Sequence, residues 1–191
     1  MDQPSPSNQR QSPKPATKPA PSAVVVSRYN ETVTSVMLDG AIGAYLGRGG
    51  AESELAVLEA PGAYELISIA RAAATSGMYG TVVCLGCVIK GETSHDVYIS
   101  NAVAAGLAQI TIDTGVPVAF GVLTTNTNEQ AIARAGGDKG NKGAEAMDAA
   151  LDAADAISAI ENGKANHAPG VRFTPGLSPN DKLSSHAQGT D

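Results

Sequence analysis

Four short apolar segments, separated by stretches of helical spacing, constrain the fold of this chain more than any other feature. The segments lie at 23–27, 54–60, 81–89 and 117–125. Between and after them, apolar residues recur every three or four positions, and each such stretch ends near a glycine or proline, as amphipathic helices do. Strands that alternate with helices form a parallel sheet covered on both faces. The sequence therefore predicts an α/β fold, a three-layer α/β/α sandwich around a four-stranded parallel sheet.

The same periodicity predicts where the helices lie. The first follows the 23–27 strand and stops at Gly49 and Gly50, and two more are expected over 64–76 and 95–114. Thr127 followed by Gln130 resembles a capping box that starts a fourth. The segment "GGDKGNKG" interrupts that helix, and the alanine-rich stretch 144–161 predicts the last one. For the 95–114 helix we expect the buried face to include Val97, Ala104, Leu107, Ala108 and Ile112.

The two ends of the chain differ in composition from its centre. Residues 1–22 contain six of the eleven prolines, and residues 163–191 are again rich in Pro, Gly and Ser. Segments of this kind bury too little apolar surface to offset the entropy of ordering them. We therefore expect a disordered proline-rich N-terminal arm (1–22), one folded domain (23–162) and a flexible C-terminal tail (163–191).

Charge and hydropathy exclude several classes of function. The chain has a formal net charge of −6, whereas a nucleic-acid-binding protein needs a basic face. No segment approaches the roughly 18 apolar residues of a membrane span, and the N-terminus lacks the apolar region of a secretory signal. We expect a cytoplasmic protein that binds neither nucleic acid nor membrane.

The two cysteines, Cys84 and Cys87, occur as "CLGC" in the third predicted strand. A pair at this spacing could bind a metal or undergo redox chemistry, but residues three apart on a strand point to opposite faces. We interpret them as small buried side chains and predict no metal site.

Polar clusters follow all four predicted strands: "RYN", "PGAYE", "KGETSHD" and "TTNTNE". The carboxyl ends of parallel strands meet at one edge of the sheet, where ligands of such folds bind. In the third cluster, Gly91 precedes backbone N–H groups at a helix N-terminus, a favourable place for an anion. His95 follows and can act as acid and base near neutral pH. Neither signal is specific alone: such turns often bind nothing, His95 could face solvent, and Asp96 could orient it or simply favour the helix dipole.

Five motifs in this order resemble those of the lumazine synthase family: "SRYN", "PGAYE", "LGCVIKGETSH", "PVAFGVLTTNTNEQAIARAG" and "GNKG". The resemblance covers residues 23–162 and does not extend into either end of the chain. Together the five motifs are far more specific than any one of them. The resemblance implies a flavodoxin-like fold and, without cofactor or metal, the penultimate reaction of riboflavin biosynthesis. In that reaction 5-amino-6-(D-ribitylamino)uracil condenses with 3,4-dihydroxy-2-butanone 4-phosphate to give 6,7-dimethyl-8-ribityllumazine, with release of phosphate and water.

The resemblance also implies roles for individual residues. His95 matches the proton donor. Glu92 and Thr93 match the phosphate-binding turn, and Arg134 matches the arginine that grips the phosphate. Lys142 matches a lysine near the site, although helix-start packing or solubility would explain it equally well. Contacts to the pyrimidine and the ribityl chain are expected from Tyr29, Ala63, Tyr64, Glu65, Cys87, Val88, Ile89 and Phe120.

Within that set the expected contacts differ in kind. Tyr29 resembles an aromatic residue that stacks on the pyrimidine ring, and the Glu65 carboxylate would accept hydrogen bonds from ribityl hydroxyls. The backbone at 87–89 would form hydrogen bonds to the edge of the pyrimidine. Phe120 resembles a residue that the neighbouring subunit contributes to the site. The chain has Tyr29 where the family often has Phe, and Lys90 where it often has Arg, but neither change removes a chemical role.

Assembly and two alternative functions complete the expectations. The family forms pentamers with sites at subunit interfaces, and some members build sixty-subunit shells, so the resemblance implies at least a homopentamer and makes riboflavin synthase a candidate partner. One alternative is a non-catalytic flavin- or lumazine-binding shell protein on the same scaffold, which could lose His95 and Arg134; this chain has both. The other is a generic flavodoxin-like phosphate-binding module, which need not contain "RYN" and "PGAYE" together.

Overall fold

The computed structural model describes residues 18–165. Most of the predicted N-terminal arm and the predicted tail from residue 166 onward lie outside the described residues. Among the described residues, 18–155 belong to one compact unit and 156–165 to another. In the described part of the second unit, the end of the last helix, the Asn162 side chain donates a hydrogen bond to Ser158 Oγ at 3.3 Å. The sheet and the candidate site lie in the first unit.

The described elements alternate between strand and helix as the sequence predicts. The strands of the main sheet are β1 (Ser22–Ser27), β2 (Leu55–Ala60), β3 (Thr81–Ile89) and β4 (Val118–Thr125). The helices are α1 (Glu31–Gly47), α2 (Leu66–Thr75), α3 (His95–Thr114), α4 (Asn128–Arg134) and α5 (Lys142–Ala165). Within the described residues, no helix is both long and apolar enough to cross a membrane.

The main sheet is parallel throughout, in the order β2-β1-β3-β4. From β1 the chain moves to β2 on one side, and then to β3 and β4 on the other. The order therefore reverses between β1 and β3, and the carboxyl ends of these two strands border a crevice of the kind that binds ligands in α/β folds. The predicted four-stranded parallel sheet is confirmed.

Helices cover both faces of the sheet and create two hydrophobic cores. On one face α1, α4 and α5 pack against the strands, with Met37, Tyr45 and Met147 fully buried. On the other face α2 and α3 contribute Leu66 and Leu107. Burying each such side chain stabilises the fold by about 1.5–3 kcal/mol. The result is the predicted three-layer α/β/α sandwich, with its binding edge at the carboxyl ends of the strands.

The two cysteines lie where the strand geometry predicts. Cys84 packs in the core beneath α2 and α3, whereas Cys87 packs in the core beneath α1 and α5. Both are buried free thiols. The prediction that they point to opposite faces of the sheet is confirmed.

The predicted buried face of α3 is mostly wrong. Only Leu107 of the expected set is buried; the others are exposed, with Val97 51% and Ile112 76% exposed. The residues that do enter the core are Val103, Leu107 and Ile110. Because α3 carries apolar residues on nearly all its sides, periodicity alone does not determine which side faces the sheet.

A short hairpin links α4 to α5, a feature that the sequence predicts only as a break. Its strands are β5 (Ala135–Gly137) and β6 (Gly140–Asn141), paired antiparallel. Half of the predicted capping box at the start of α4 is present: Thr127 accepts a hydrogen bond from the Gln130 backbone N–H at 3.3 Å. The Gln130 side chain accepts from the Asn126 backbone N–H at 2.9 Å rather than from that of Thr127.

Candidate active site

The turn between β1 and α1 is held by a network of short hydrogen bonds. Asn30 adopts a left-handed backbone conformation with φ of 60°, which asparagine tolerates better than most residues. Its side-chain Nδ2 donates to the backbone oxygen of Cys87 at 2.9 Å. The preceding residue, Tyr29, donates its backbone N–H to Ser27 Oγ at 3.2 Å. These bonds fix the backbone while leaving the Tyr29 side chain 70% exposed at the edge of the sheet.

The turn between β3 and α3 presents unused backbone donors. Among the described residues, no hydrogen bond engages the backbone N–H groups of Glu92, Thr93 or Ser94. Ser94 is the N-cap residue, and its side chain does not cap the helix. Free N–H groups at the positive end of a 20-residue helix make this turn suitable for an anion.

The segment after β2 supplies the opposite wall. Ala63 and Leu66 turn into the core beneath α2 and α3. The side chains between them, Tyr64 and Glu65, remain exposed. This alternation anchors the backbone of the segment and turns one aromatic ring and one carboxylate outward.

A cavity of about 870 Å³ lies where these three segments meet. That volume is large enough for a small-molecule substrate. Nine of the thirteen residues predicted for the site line it, namely Tyr29, Ala63, Tyr64, Glu65, Cys87, Val88, Ile89, Thr93 and His95. They converge because the strands are parallel and their carboxyl ends share one edge.

The other four predicted residues do not line this cavity. Glu92 is exposed in the β3–α3 turn, between two residues that do. Phe120 is opposite Cys84 in the β3–β4 register and is 42% exposed. Arg134 is the exposed last residue of α4, and Lys142 begins α5 with its ammonium paired to Glu145.

Six further residues line the cavity without having been predicted. Two are glycines beside predicted positions, Gly62 and Gly91, and the others come from the first two turns of α3: Asp96, Tyr98, Ile99 and Ala102. Helical spacing from His95 would have found three of these, because positions i+3, i+4 and i+7 share a face with position i.

Asp96 does not orient His95. Neighbouring residues on a helix do not face one another, and no hydrogen bond joins these two side chains in the described part of the chain. Instead, Asp96 Oδ1 is buried without a hydrogen-bond partner among the described residues. Because Asp96 lies in the first turn of α3, its charge favours the helix dipole, one of the two interpretations that the sequence left open.

Apart from His95, the charged side chains that line the cavity, Glu65 and Asp96, are acidic, so a cation for an anionic ligand must come from beyond this lining. Among the side chains of residues 18–162, three cations form no ion pair: Arg28, Lys90 and Arg134. Burial raises the pKa of the Cys87 thiol to about 11, so this cavity residue is protonated at neutral pH and is a poor nucleophile. No cluster of three metal-binding side chains occurs among the residues described. The arrangement favours proton transfer over covalent catalysis.

Comparisons with known proteins agree on one family. A family model described as "6,7-dimethyl-8-ribityllumazine synthase" matches residues 20–158. The chain is also 44% identical, over 139 residues, to the 6,7-dimethyl-8-ribityllumazine synthase of Desulfotalea psychrophila (strain LSv54 / DSM 12343). That match covers 73% of this chain and 90% of the relative.

Proposed function

The chain belongs to the 6,7-dimethyl-8-ribityllumazine synthase family, and from this premise we propose the reaction that it catalyses and the residues that carry it. The reaction joins 5-amino-6-(D-ribitylamino)uracil to 3,4-dihydroxy-2-butanone 4-phosphate and gives 6,7-dimethyl-8-ribityllumazine, phosphate and water. The observation that supports this most directly is the cavity, because Tyr29, Glu65, Thr93 and His95 come from three segments of the chain and line one space.

The uracil substrate binds against Tyr29 and the end of β3. The exposed Tyr29 ring stacks on the pyrimidine, since aromatic faces bind flat π systems well. Backbone groups of 87–89 hydrogen-bond to the pyrimidine edge. The Cys87 oxygen already accepts one bond from Asn30, but a carbonyl has a second lone pair. The Glu65 carboxylate, which forms no ion pair with other described residues, accepts hydrogen bonds from ribityl hydroxyls.

The phosphate of the second substrate binds at the start of α3. Free backbone N–H groups at Glu92 and Thr93 donate to its oxygens, and the helix dipole favours its charge. Arg134 supplies the matching cation, because a planar guanidinium binds phosphate through two parallel bonds. Lys142 is a weaker candidate, since Glu145 already engages its ammonium.

His95 transfers protons between the two substrates. As the uracil amine attacks the ketone, the carbonyl oxygen must gain a proton and then leave as water to form the imine. Elimination of phosphate and closure of the ring require further proton transfers. An imidazole one residue after the N-cap of α3, on the cavity wall, is suited to these steps. The remainder of the acceleration comes from holding both substrates together.

The active form is an oligomer, and we infer a pentamer in which Phe120 and Arg134 complete the cavity of a neighbouring copy. Phe120 lies about 10 Å along the sheet from the strand end that lines its own cavity, three residues at about 3.3 Å each. Exposed Val97 and Ile112 on α3 give the subunit apolar surface to bury. A larger shell of such pentamers, a complex with riboflavin synthase and a cytoplasmic location also belong to this proposal.

Two experiments test the proposal. Purified protein incubated with both substrates should produce lumazine absorbance, and its absence would leave the non-catalytic binding protein as the better account. His95→Ala subunits should turn over slowly, and Arg134→Ala subunits should bind the butanone phosphate weakly. Mixing the two after reversible dissociation should restore part of the activity, because some sites then receive both intact residues from different copies. Light scattering that shows an active monomer would contradict the oligomer.

A further inference from the structure

The side chain of Asn141 uses every hydrogen-bonding position it has. Its Nδ2 donates to the backbone oxygens of Val36 at 2.8 Å and Ala135 at 3.0 Å. Its Oδ1 accepts from the backbone N–H groups of Gly143 at 2.8 Å and Ala144 at 3.1 Å. An asparagine amide offers two donors and two acceptor lone pairs, so this one amide is fully satisfied by three elements: α1, β5 and the start of α5.

The surroundings of Asn141 are packed closely enough to keep this geometry. A Cβ atom added to Gly40 of α1 would collide with the Asn141 amide, and one added to Gly143 would collide with the backbone of Met37. At Gly136, φ is +140° and an added Cβ would come within 2.9 Å of Val36 Cγ1. The backbone of α1 therefore lies directly against the start of α5, and the hairpin packs on α1 through the side chains of Asn141 and Val36.

The residues on both sides of Arg134 are bonded to this hairpin. The oxygen of Ala135 accepts from Asn141 Nδ2, and the oxygen of Ala133 accepts from the Lys139 backbone N–H at 2.9 Å. Arg134 itself is exposed, and its guanidinium forms no ion pair with other described residues. The direction in which Arg134 points is thus set by its flanking backbone rather than by contacts of its own side chain.

We propose that Asn141 is a positioning residue for Arg134: its amide holds the hairpin on α1 so that the guanidinium meets the substrate phosphate in a defined orientation. This inference rests on the proposed role of Arg134 in binding the butanone phosphate. Asn141 acts through Arg134 and does not itself touch substrate. Its loss weakens binding of the phosphorylated substrate selectively, because the uracil site is formed by other segments.

The test is the Asn141→Asp variant. Aspartate has the same shape and keeps both acceptors for α5, but it has no donor for Val36 or Ala135. The KM for the butanone phosphate should rise about tenfold, while the KM for the uracil should stay within about twofold, because misplacing one binding group affects only the substrate it holds. Asn141→Ser, which keeps an N-cap oxygen, provides a second variant if the aspartate protein fails to fold.

Two controls separate positioning from a general loss of stability. Tyr45→Phe removes a 3.1 Å hydrogen bond to the Ala20 oxygen, away from the hairpin, and should leave both KM values unchanged. Asn162→Asp makes the same chemical change at an exposed position and should also leave both KM values unchanged.

A double-mutant cycle gives the decisive outcome. If Asn141 acts through Arg134, adding Asn141→Asp to Arg134→Ala should raise the KM for the butanone phosphate no further than Arg134→Ala does alone. Two results would overturn the inference. One is a double variant in which the two increases in KM multiply, as independent effects do. The other is an unchanged KM in Asn141→Asp while Arg134→Ala raises it. An unchanged KM in Arg134→Ala would instead contradict the proposed phosphate role.

Discussion

The side-chain amide of Asn30 donates a hydrogen bond to the backbone oxygen of Cys87 across 2.9 Å. This bond joins the residue after Tyr29, beyond the end of β1, to the part of β3 that lines the cavity. It spans the point where the strand order reverses, which is where α/β folds bind their ligands. One polar contact thus connects the turn that carries Tyr29, which we propose stacks on the pyrimidine, to the backbone at 87–89, which we propose hydrogen-bonds to its edge.

Replacing Asn30 should separate two contributions to this turn. Asn30→Ala loses the hydrogen bond. It also leaves a residue at positive φ that, unlike asparagine, has no polar side chain to stabilise the left-handed conformation. The free energy of unfolding should therefore fall by about 1–2 kcal/mol. Asn30→Gly loses only the hydrogen bond, and glycine accepts positive φ freely. Urea denaturation should rank the variants wild type, Gly, Ala. Equal stability of the wild type and Asn30→Ala would show that the bond contributes nothing.

His95→Ala should slow turnover without weakening substrate binding. A positioned general acid or base typically contributes about 10²–10⁴-fold, so kcat should fall by that factor while both KM values change little. Gln109→Ala is a suitable control on the same helix, because Gln109 is exposed and bonds only Asp113 among the described residues. An unchanged kcat in His95→Ala would remove the role assigned to this histidine.

The two cysteines should resist alkylation in the native protein. Burial raises the pKa of Cys84 to about 12 and of Cys87 to about 11, against about 8.5 for an exposed thiol. At pH 8 iodoacetamide should therefore label neither until the protein is unfolded, and mass spectrometry would count the adducts. Because these pKa values are higher in the folded state, the stability they contribute is complete below about pH 8.5 and decreases as pH rises toward 11 and 12. Labelling of the native protein at pH 8 would contradict the burial.

Much of the fold could be predicted because local pattern and topology agree. The apolar runs locate the strands to within a residue or two. The strands are expected to be parallel because a helix connects each one to the next. The hairpin after Arg134 could not be predicted, since its strands are three and two residues long and rich in glycine, so they carry no alternating pattern. Its contact with α1 depends on Asn141, which donates to the backbone oxygen of Val36, a residue distant in sequence.

The candidate site was predictable to the extent that it depends on strand ends. Most of the expected residues converge on one cavity because parallel strands finish at a common edge. Tyr98 belongs to none of the five motifs, and only its position one helical turn after His95 indicates that it lines the cavity. Phe120 and Arg134 remain outside the cavity of their own chain. In the proposed pentamer they would reach the cavity of another copy, a position that the fold of one subunit does not determine.

A buried arginine and three aspartates join the end of α1 to α5. Arg48, whose side chain is 11% exposed, lies 2.8 Å from Asp152, 3.3 Å from Asp155 and 3.7 Å from Asp148. The three carboxylates occupy successive turns of α5 on one face. The three carboxylates do not contribute equally to stability. Burial is the largest influence on Asp148 and raises its pKa; the charge of Arg48 lowers that pKa, and the charge of Asp152 raises it again.

Two matched substitutions in this cluster should therefore have opposite effects on stability. A pKa raised in the folded state means that ionised Asp148 disfavours folding at neutral pH, so Asp148→Asn should raise the melting temperature at pH 7. This advantage should shrink as the pH falls toward about 4, where the carboxyl is protonated in the unfolded chain as well. Asp152→Asn should lower the melting temperature at pH 7, because it removes the shortest partner of a nearly buried guanidinium. Thermal melts of both variants at pH 4 and pH 7 test the pair, and a lower melting temperature for Asp148→Asn at pH 7 would mean that attraction to Arg48 outweighs the cost of burying that charge.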